Sequence, residues 1–302
     1  TFPRVAVTPF STIANWESGD GTTSSIIHHM SGTITKVAGS HTMRFGADGR
    51  VNREFRNRFP QQTSPDFAFA STLANSRTGA AAPQLGGEIT TFLLGIPAGN
   101  MAQVASYAEQ DKYVGLFFQD DYKLSRKLTL NWGIRYDLES GVTERFDRSV
   151  YGFDSGQSSP ISSAAVAAYN ARPVPDLPAN QFRVNGGLSF VNVGGNPREY
   201  WNPRYNNFQP RLGLAYQMDE KTVIRAGYGF FTGPIGIFYN NTIQTGFSQT
   251  TPIQATLDNG LTYIATTANP FPNGLLPAPG ASQGLSTNLG QTLDVYDQSR
   301  KN

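Results

Sequence analysis

The sequence predicts an all-β chain, a partial antiparallel transmembrane β-barrel. Three observations carry that prediction. Six segments alternate apolar and polar residues with a period of two, they pair through short polar connections, and long stretches separate the pairs. Successive side chains of a strand point to opposite faces, so each segment presents one apolar and one polar face. A sheet with lipid on one side and water on the other requires that division.

The first segment, Ser24 to Val37, sets Ile26, His28, Met30, Gly32 and Ile34 against Ile27, His29, Ser31, Thr33 and Thr35, and its face assignment stays open. From Thr42 to Asn52, Met43, Phe45, Ala47, Gly49 and Val51 oppose Thr42, Arg44, Gly46, Asp48, Arg50 and Asn52. From Val114 to Tyr122, Val114, Leu116, Phe118 and Tyr122 share a face with Asp120, against Gly115, Phe117, Gln119 and Asp121. The clearest segment is Leu128 to Leu138. There Leu128, Leu130, Trp132, Ile134, Tyr136 and Leu138 alternate with Thr129, Asn131, Gly133, Arg135 and Asp137. It runs for about the ten residues that a tilted strand needs to cross a bilayer. Phe208 to Met218 and Thr222 to Phe230 repeat the pattern, with Arg211 and Arg225 on their polar sides. A soluble sandwich strand shows the same alternation, so one segment decides nothing and the recurrence carries the argument.

The spacing adds to it. Val37-Ala38-Gly39-Ser40-His41, Lys123-Leu124-Ser125-Arg126-Lys127 and Asp219-Glu220-Lys221 are short enough to close hairpins, near residues 24–56, 112–139 and 207–231. The intervening loops, 59–105, 140–206 and 232–302, are far longer than connections in compact domains. Short turns alternating with long loops is the asymmetry of outer-membrane barrels, turns periplasmic and loops extracellular. Within the loops, Ser159-Pro160 opens a helix over Ile161 to Ala171 that Pro173 ends, and Gly87 to Gly95 reads as a further helical turn. Ile253 to Ile264 alternates around Asp258-Asn259-Gly260, which predicts a hairpin.

Composition sets the bounds. Aromatic residues make up 12% and charged residues 15% of the chain, and mean hydropathy is −0.35, with no apolar run long enough for a membrane helix. The absence of cysteine removes disulfide scaffolds and thiolate metal sites. A net charge of +2 gives no reason to expect nucleic acid. The basic run Arg50, Arg53, Arg56 and Arg58, placed where strand gives way to loop, reads as a solvated rim or as a funnel for an anionic ligand. Six strands fall short of the roughly eight with which closed barrels begin. With neither an initiator nor a leader at Thr1-Phe2-Pro3 and a polar C-terminus, the chain is expected to be part of a longer protein.

The residues Tyr113-Val114-Gly115-Leu116-Phe117-Phe118-Gln119-Asp120-Asp121-Tyr122-Lys123 and Leu128-Thr129-Leu130-Asn131-Trp132-Gly133-Ile134-Arg135-Tyr136-Asp137 resemble a hairpin of TonB-dependent outer-membrane receptors. The similarity is to the Oar-like receptors that carry an N-terminal carboxypeptidase-regulatory-like domain. Asn207-Phe208-Gln209-Pro210-Arg211-Leu212-Gly213-Leu214-Ala215-Tyr216, Thr222-Val223-Ile224-Arg225-Ala226-Gly227-Tyr228-Gly229-Phe230-Phe231 and Ser40-His41-Thr42-Met43-Arg44-Phe45-Gly46 resemble further strands of that family, in order. The resemblance implies a 22-stranded barrel, a plug, and energy coupling to TonB-ExbB-ExbD. No plug or TonB box is recognisable here, so the chain corresponds to a mid-barrel piece.

Expected function follows from pattern and resemblance together: energy-coupled uptake of an iron chelate, oligosaccharide or peptide through the outer membrane. The alternative is a non-transporting surface adhesion or carbohydrate-binding β-protein. Outer-membrane lipid would meet Leu130, Trp132, Ile134, Tyr136, Leu212, Leu214 and Tyr216, while Arg135, Asp137, Arg211 and Arg225 would face the lumen. Tyr200, Trp201 and Tyr205, with Phe238 and Tyr239, offer aromatic surface for an extracellular ligand, for loop packing or for anchoring at the membrane interface. No cofactor is expected, and no residues assemble a catalytic constellation. His28 and His29 are adjacent and point to opposite faces, and His41 falls in a turn, so no histidine metal site is expected. Asp111, Asp120 and Asp121 lack the glycine spacing of a calcium loop. Gly227-Tyr228-Gly229 lacks the context of a nucleotide loop and reads as strand glycine, and the sequon Asn240-Asn241-Thr242 carries no weight in a barrel.

Overall fold

The computed structural model describes residues 3–13, 21–58, 64–73, 86–233, 236, 242–258 and 260–298. In chain order its strands are β1 (Arg4–Val7), β2 (Thr22–Ala38), β3 (His41–Asn57), β4 (Asp66–Phe69), β5 (Ala98–Gln103), β6 (Tyr107–Lys123), β7 (Leu128–Glu139), β8 (Thr143–Glu144), β9 (Val150–Phe153), β10 (Leu188–Phe190), β11 (Phe208–Gln217), β12 (Val223–Gly229) and β13 (Gln249–Pro252). Two helices, α1 (Gly87–Leu93) and α2 (Ser162–Ala171), lie where the glycine-bounded and Ser-Pro signals place them. None of the described helices is long and apolar enough to cross a membrane.

The chain forms two compact units. The larger holds residues 24–55, 107–243 and 292–302, and its framework is a seven-stranded antiparallel sheet in the order β12-β11-β7-β6-β3-β2, with β8 beside β6. All six alternating segments are strands of this sheet, paired as the short turns require. Gly39, with φ 60°, takes the left-handed conformation that a tight hairpin turn asks of its first central residue. The strands outrun their sequence signal: β3 continues to Asn57 and β6 begins at Tyr107. Arg50, Arg53 and Arg56 therefore lie within β3, with Arg58 just after it, and His41 is the first residue of β3 instead of a turn residue.

Register fixes the faces. Trp132 lies opposite Asp120 and Leu212, Ile134 opposite Phe118 and Pro210, and Tyr136 opposite Leu116 and Phe208. On the same face Phe45 packs against Phe118 at 5.0 Å between ring centroids. The opposite face carries Arg135 beside Phe117 and Gln209, Asp137 beside Gly115, and Arg211 beside Gly133 and Gly229. A contact between His29 and Asp48 settles the face of β2: odd-numbered residues join the polar side and Ile26, Met30 and Ile34 the apolar one. That apolar face is bare, Met30 being 82% and Ile34 72% exposed and Leu212 62%. Soluble monomers rarely leave so extended an apolar surface open to water.

The connection between β7 and β11 is folded onto a core of its own. Val142, Val191, Tyr200, Trp201 and Tyr296 are buried together, with Tyr151 and Ile243 packed against them. The smaller unit comprises residues 1–23, 56–106 and 244–291. It contains a sheet of order β1-β4-β5-β13, parallel at β1–β4 and antiparallel elsewhere, and a core of Phe67, Phe69, Ile253 and Ala265. Two stretches read from sequence as long connections thus contribute to a core. The hairpin expected over Ile253 to Ile264 is not a strand pair. One backbone bond, Ile264 N–H to the Ala255 carbonyl, closes the loop, while the Asp258 carboxylate takes the N–H groups of Leu261 and Thr262. A side chain that satisfies backbone donors locally competes with a ladder, and here it prevails. Asn259 lies outside the described residues.

Candidate functional site

The polar face of the large sheet is where functional side chains gather. β7 supplies Arg135 and Asp137, two residues apart and therefore side by side on one face. Arg135 Nε donates to Asp137 Oδ1 at 2.8 Å, and its Nη2 donates to the Tyr113 hydroxyl at 2.6 Å. Tyr113, from β6, donates in turn to Asp137 Oδ1 at 2.6 Å. Gln209 of β11 completes the set, its Nε2 donating to Asp137 Oδ2 and, at 3.0 Å, sharing with Thr232 Oγ1. Gly115 makes the space, because a Cβ there would lie 2.4 Å from Arg135 Nη2 and 2.7 Å from the Tyr113 hydroxyl oxygen.

The network continues across β3 into β2. Asp48 Oδ2 accepts from Arg50 Nη2 at 2.9 Å and stands 3.8 Å from Arg135 Nη2, while Asp48 Oδ1 meets His29 Nε2 at 3.1 Å. The Arg50 guanidinium lies over the Tyr113 ring, 5.0 Å from its centroid. Nearer the hairpin turns, Asp121 accepts from Asn131 at 2.6 Å and lies 3.7 Å from Arg44. Towards the loop end, Asn52 donates to Asp111 at 2.9 Å. One continuous belt of paired charges and amides thus ties β2, β3, β6, β7 and β11 together. It binds the strands and lines the surface with donors and acceptors, and it contains no nucleophile poised beside a base.

The residues expected from sequence divide into groups. Arg135 and Asp137 are brought together at the centre of the belt. Arg211 and Arg225 share the same face, from register, but do not join it. Arg211 lies 5.8 Å from the Phe231 ring, and neither arginine has an acidic partner among the described residues. Tyr200 and Trp201 require a correction, since they are 0% and 4% exposed. Tyr200 stacks on Tyr296 at 4.7 Å, and its hydroxyl lies 3.1 Å from Thr242 Oγ1, which bonds to Glu109. Burial, reinforced by the Glu109 charge, pushes that hydroxyl well above its ordinary pKa. Buried aromatic side chains with a satisfied polar tip are packing elements, and in this conformation they cannot touch a ligand. Tyr205 alone of the three is exposed, at 65%, and its carbonyl accepts from the Tyr136 hydroxyl. Phe238, Tyr239 and the sequon's Asn240 and Asn241 lie outside the described residues.

Tyr113, Asp48 and Gln209 were not singled out from sequence, whereas Arg50 stood there in a basic rim and His29 was weighed only as a metal ligand. A signal did exist for Tyr113. The odd-numbered alternation of β6 extends back from Gly115 through Tyr113 and Asp111 to Glu109. No three histidine, aspartate or glutamate side chains among the described residues converge as a metal site would require.

A family model described as outer membrane beta barrel domain matches residues 1–302. The chain belongs to that family. Outer membrane β-barrel proteins reside in the cell outer membrane, and this assignment gives the bare apolar face of the sheet its solvent. No curated protein and no solved structure matches this outer membrane β-barrel chain.

Proposed function

We propose that this outer membrane β-barrel chain is part of a TonB-dependent receptor that imports a scarce ligand with energy supplied from the inner membrane. In this reading the apolar face bearing Trp132, Ile134 and Leu212 meets lipid, and the belt around Arg135 and Asp137 faces the lumen. The short turns are periplasmic and the long connections extracellular. The observation that carries it is the belt itself. A sheet whose polar face is crossed by paired charges and amides from five strands, opposite a bare apolar face, suits a barrel that holds a polar plug. The resemblance of the β6–β7 and β11–β12 hairpins to Oar-like receptors supplies the coupling partner. Arg211 and Arg225, which have no acidic partner among the described residues, are the cations available to a plug or a passing anion.

Among the described residues the large sheet ends at β2 and β12, which supports the same reading. Unpaired strand edges in lipid cost several kcal/mol per backbone group, so further strands of the parent protein would have to cover them. Uptake of candidate ligands measured in cells with and without TonB tests the proposal. Loss of uptake with surface binding retained is expected. Unchanged uptake in the strain lacking TonB would exclude energy-coupled import and leave passive diffusion or no transport.

A further inference from the structure

A second polar site lies on the other face of the sheet, just beyond its apolar band. Along β3 the apolar-face residues run Phe45, Ala47, Gly49 and Val51, and the next such position is Arg53. Arg53 Nε donates at 2.9 Å to Gln110 Oε1 of β6. Gln110 pairs in register with Thr143 of β8, and Arg145, the residue after β8 ends, donates its backbone N–H to the Ala108 carbonyl at 2.8 Å. Arg53 and Arg145 therefore share that face at the loop end, both beside β6. Both line a cavity of ≈620 Å³ together with Arg198, Ile26 and Phe55.

The charges are unequally used. Arg198 is matched by Asp147 at 2.6 Å, and its Nη2 is held by the Glu144 carbonyl at 3.0 Å. Arg53 and Arg145 have no acidic partner among the described residues; the Arg145 guanidinium lies only over the neighbouring Phe146 ring, at 5.4 Å. Glu54 and Glu109, which also line the cavity, belong to the polar face by strand alternation, and Glu109 is engaged by Thr242. The floor is mixed, with Phe55 exposed beside the two guanidinium groups.

We propose that this cavity binds the phosphate-bearing headgroup of an anionic lipid in the adjoining leaflet. Guanidinium groups recognise phosphate through paired, charge-assisted hydrogen bonds. Their position one step beyond the apolar band is the depth at which headgroup phosphate begins, and Ile26 offers apolar surface to the first acyl carbons. A free polar ligand would have no use for that apolar side. The inference rests on the apolar face meeting lipid, and it does not depend on transport or on TonB.

The test uses the full-length parent protein in micelles doped with phosphatidylglycerol or phosphatidylcholine, with retained lipid counted by native mass spectrometry. Preferential retention of phosphatidylglycerol is expected, falling at least several-fold in the Arg53→Gln/Arg145→Gln variant and partly in each single variant. Arg126→Gln, at the opposite end of the sheet, should leave it unchanged. Equal retention of phosphatidylglycerol by the double variant would overturn the proposal. So would displacement of the lipid by millimolar inorganic phosphate, which would make the cavity an ion site. Incorporation of the same protein into vesicles is read separately, so failure of the lipid-facing assignment is distinguishable from failure of the headgroup site.

Discussion

His41 Nδ1 lies 2.7 Å from Asp120 Oδ2, on the face of the sheet that carries the apolar band. The imidazole stacks on Tyr122 at 4.1 Å and nearly parallel, and Asp120 is buried beneath it, opposite Trp132. Both residues sit close to the hairpin turns, where a strand leaves the hydrocarbon. Histidine and tyrosine thus shield a carboxylate that would otherwise face lipid unpaired. His41→Ala should destabilise the full-length protein by about 1–3 kcal/mol, since it strands a buried acceptor. Asp120→Leu should cost less, because it removes the charge with its need. Denaturant unfolding from lipid vesicles compares the two, and a larger loss for Asp120→Leu would refute this account.

Face assignment makes a second contrast. Ile134 lies among Phe118, Trp132 and Tyr136 on the apolar face, so Ile134→Arg should cost roughly 2–4 kcal/mol near the bilayer midplane. Asn131 already bonds to Asp121 at 2.6 Å on the polar face, and Asn131→Arg would keep a donor beside that carboxylate. Its effect should be slight. Equal tolerance at the two positions in a refolding assay would reverse the faces.

Coupling in the belt is measurable. Arg135→Gln and Asp137→Asn should each destabilise, and their combination should fall short of additivity by about 0.5–3 kcal/mol, as for residues in one network. Gly115→Val should reproduce part of the Arg135→Gln effect, because its side chain occupies the position of the guanidinium. A strictly additive double-mutant cycle would separate Arg135 from Asp137.

The Asp258 loop carries a pH dependence. The backbone N–H of Thr262, then its hydroxyl, hold the Asp258 carboxyl down to about 2. An acid whose folded pKa is depressed contributes stability above its unfolded value, near 4, and loses it as pH falls through the folded value. Protection of the Leu261 and Thr262 amides, taken relative to their intrinsic exchange rate at each pH, should therefore hold at neutral pH and fall between about pH 4 and pH 2. In Asp258→Asn the same amides should exchange with no such step in that window.

Much of this protein was determined by its sequence alone. Period two over six segments specified the strands, and the placement of Gly39-Ser40, Lys123 to Lys127 and Asp219 to Lys221 specified which pairs are hairpins, because turn chemistry and alternation are local. The facing of Arg135 and Asp137 followed from the same alternation. What required tertiary structure was everything non-local. The face of β2 was ambiguous until His29 met Asp48. Tyr113 and Gln209 entered the belt only through cross-strand register, which no single strand encodes. Tyr200 and Trp201 read as loop aromatics for a ligand, for packing or for the membrane interface, and only a core assembled from residues 142 to 296 decided for packing. Burial depends on partners distant in the chain, and apolar residues in a long connection carry no periodicity to reveal that they have any.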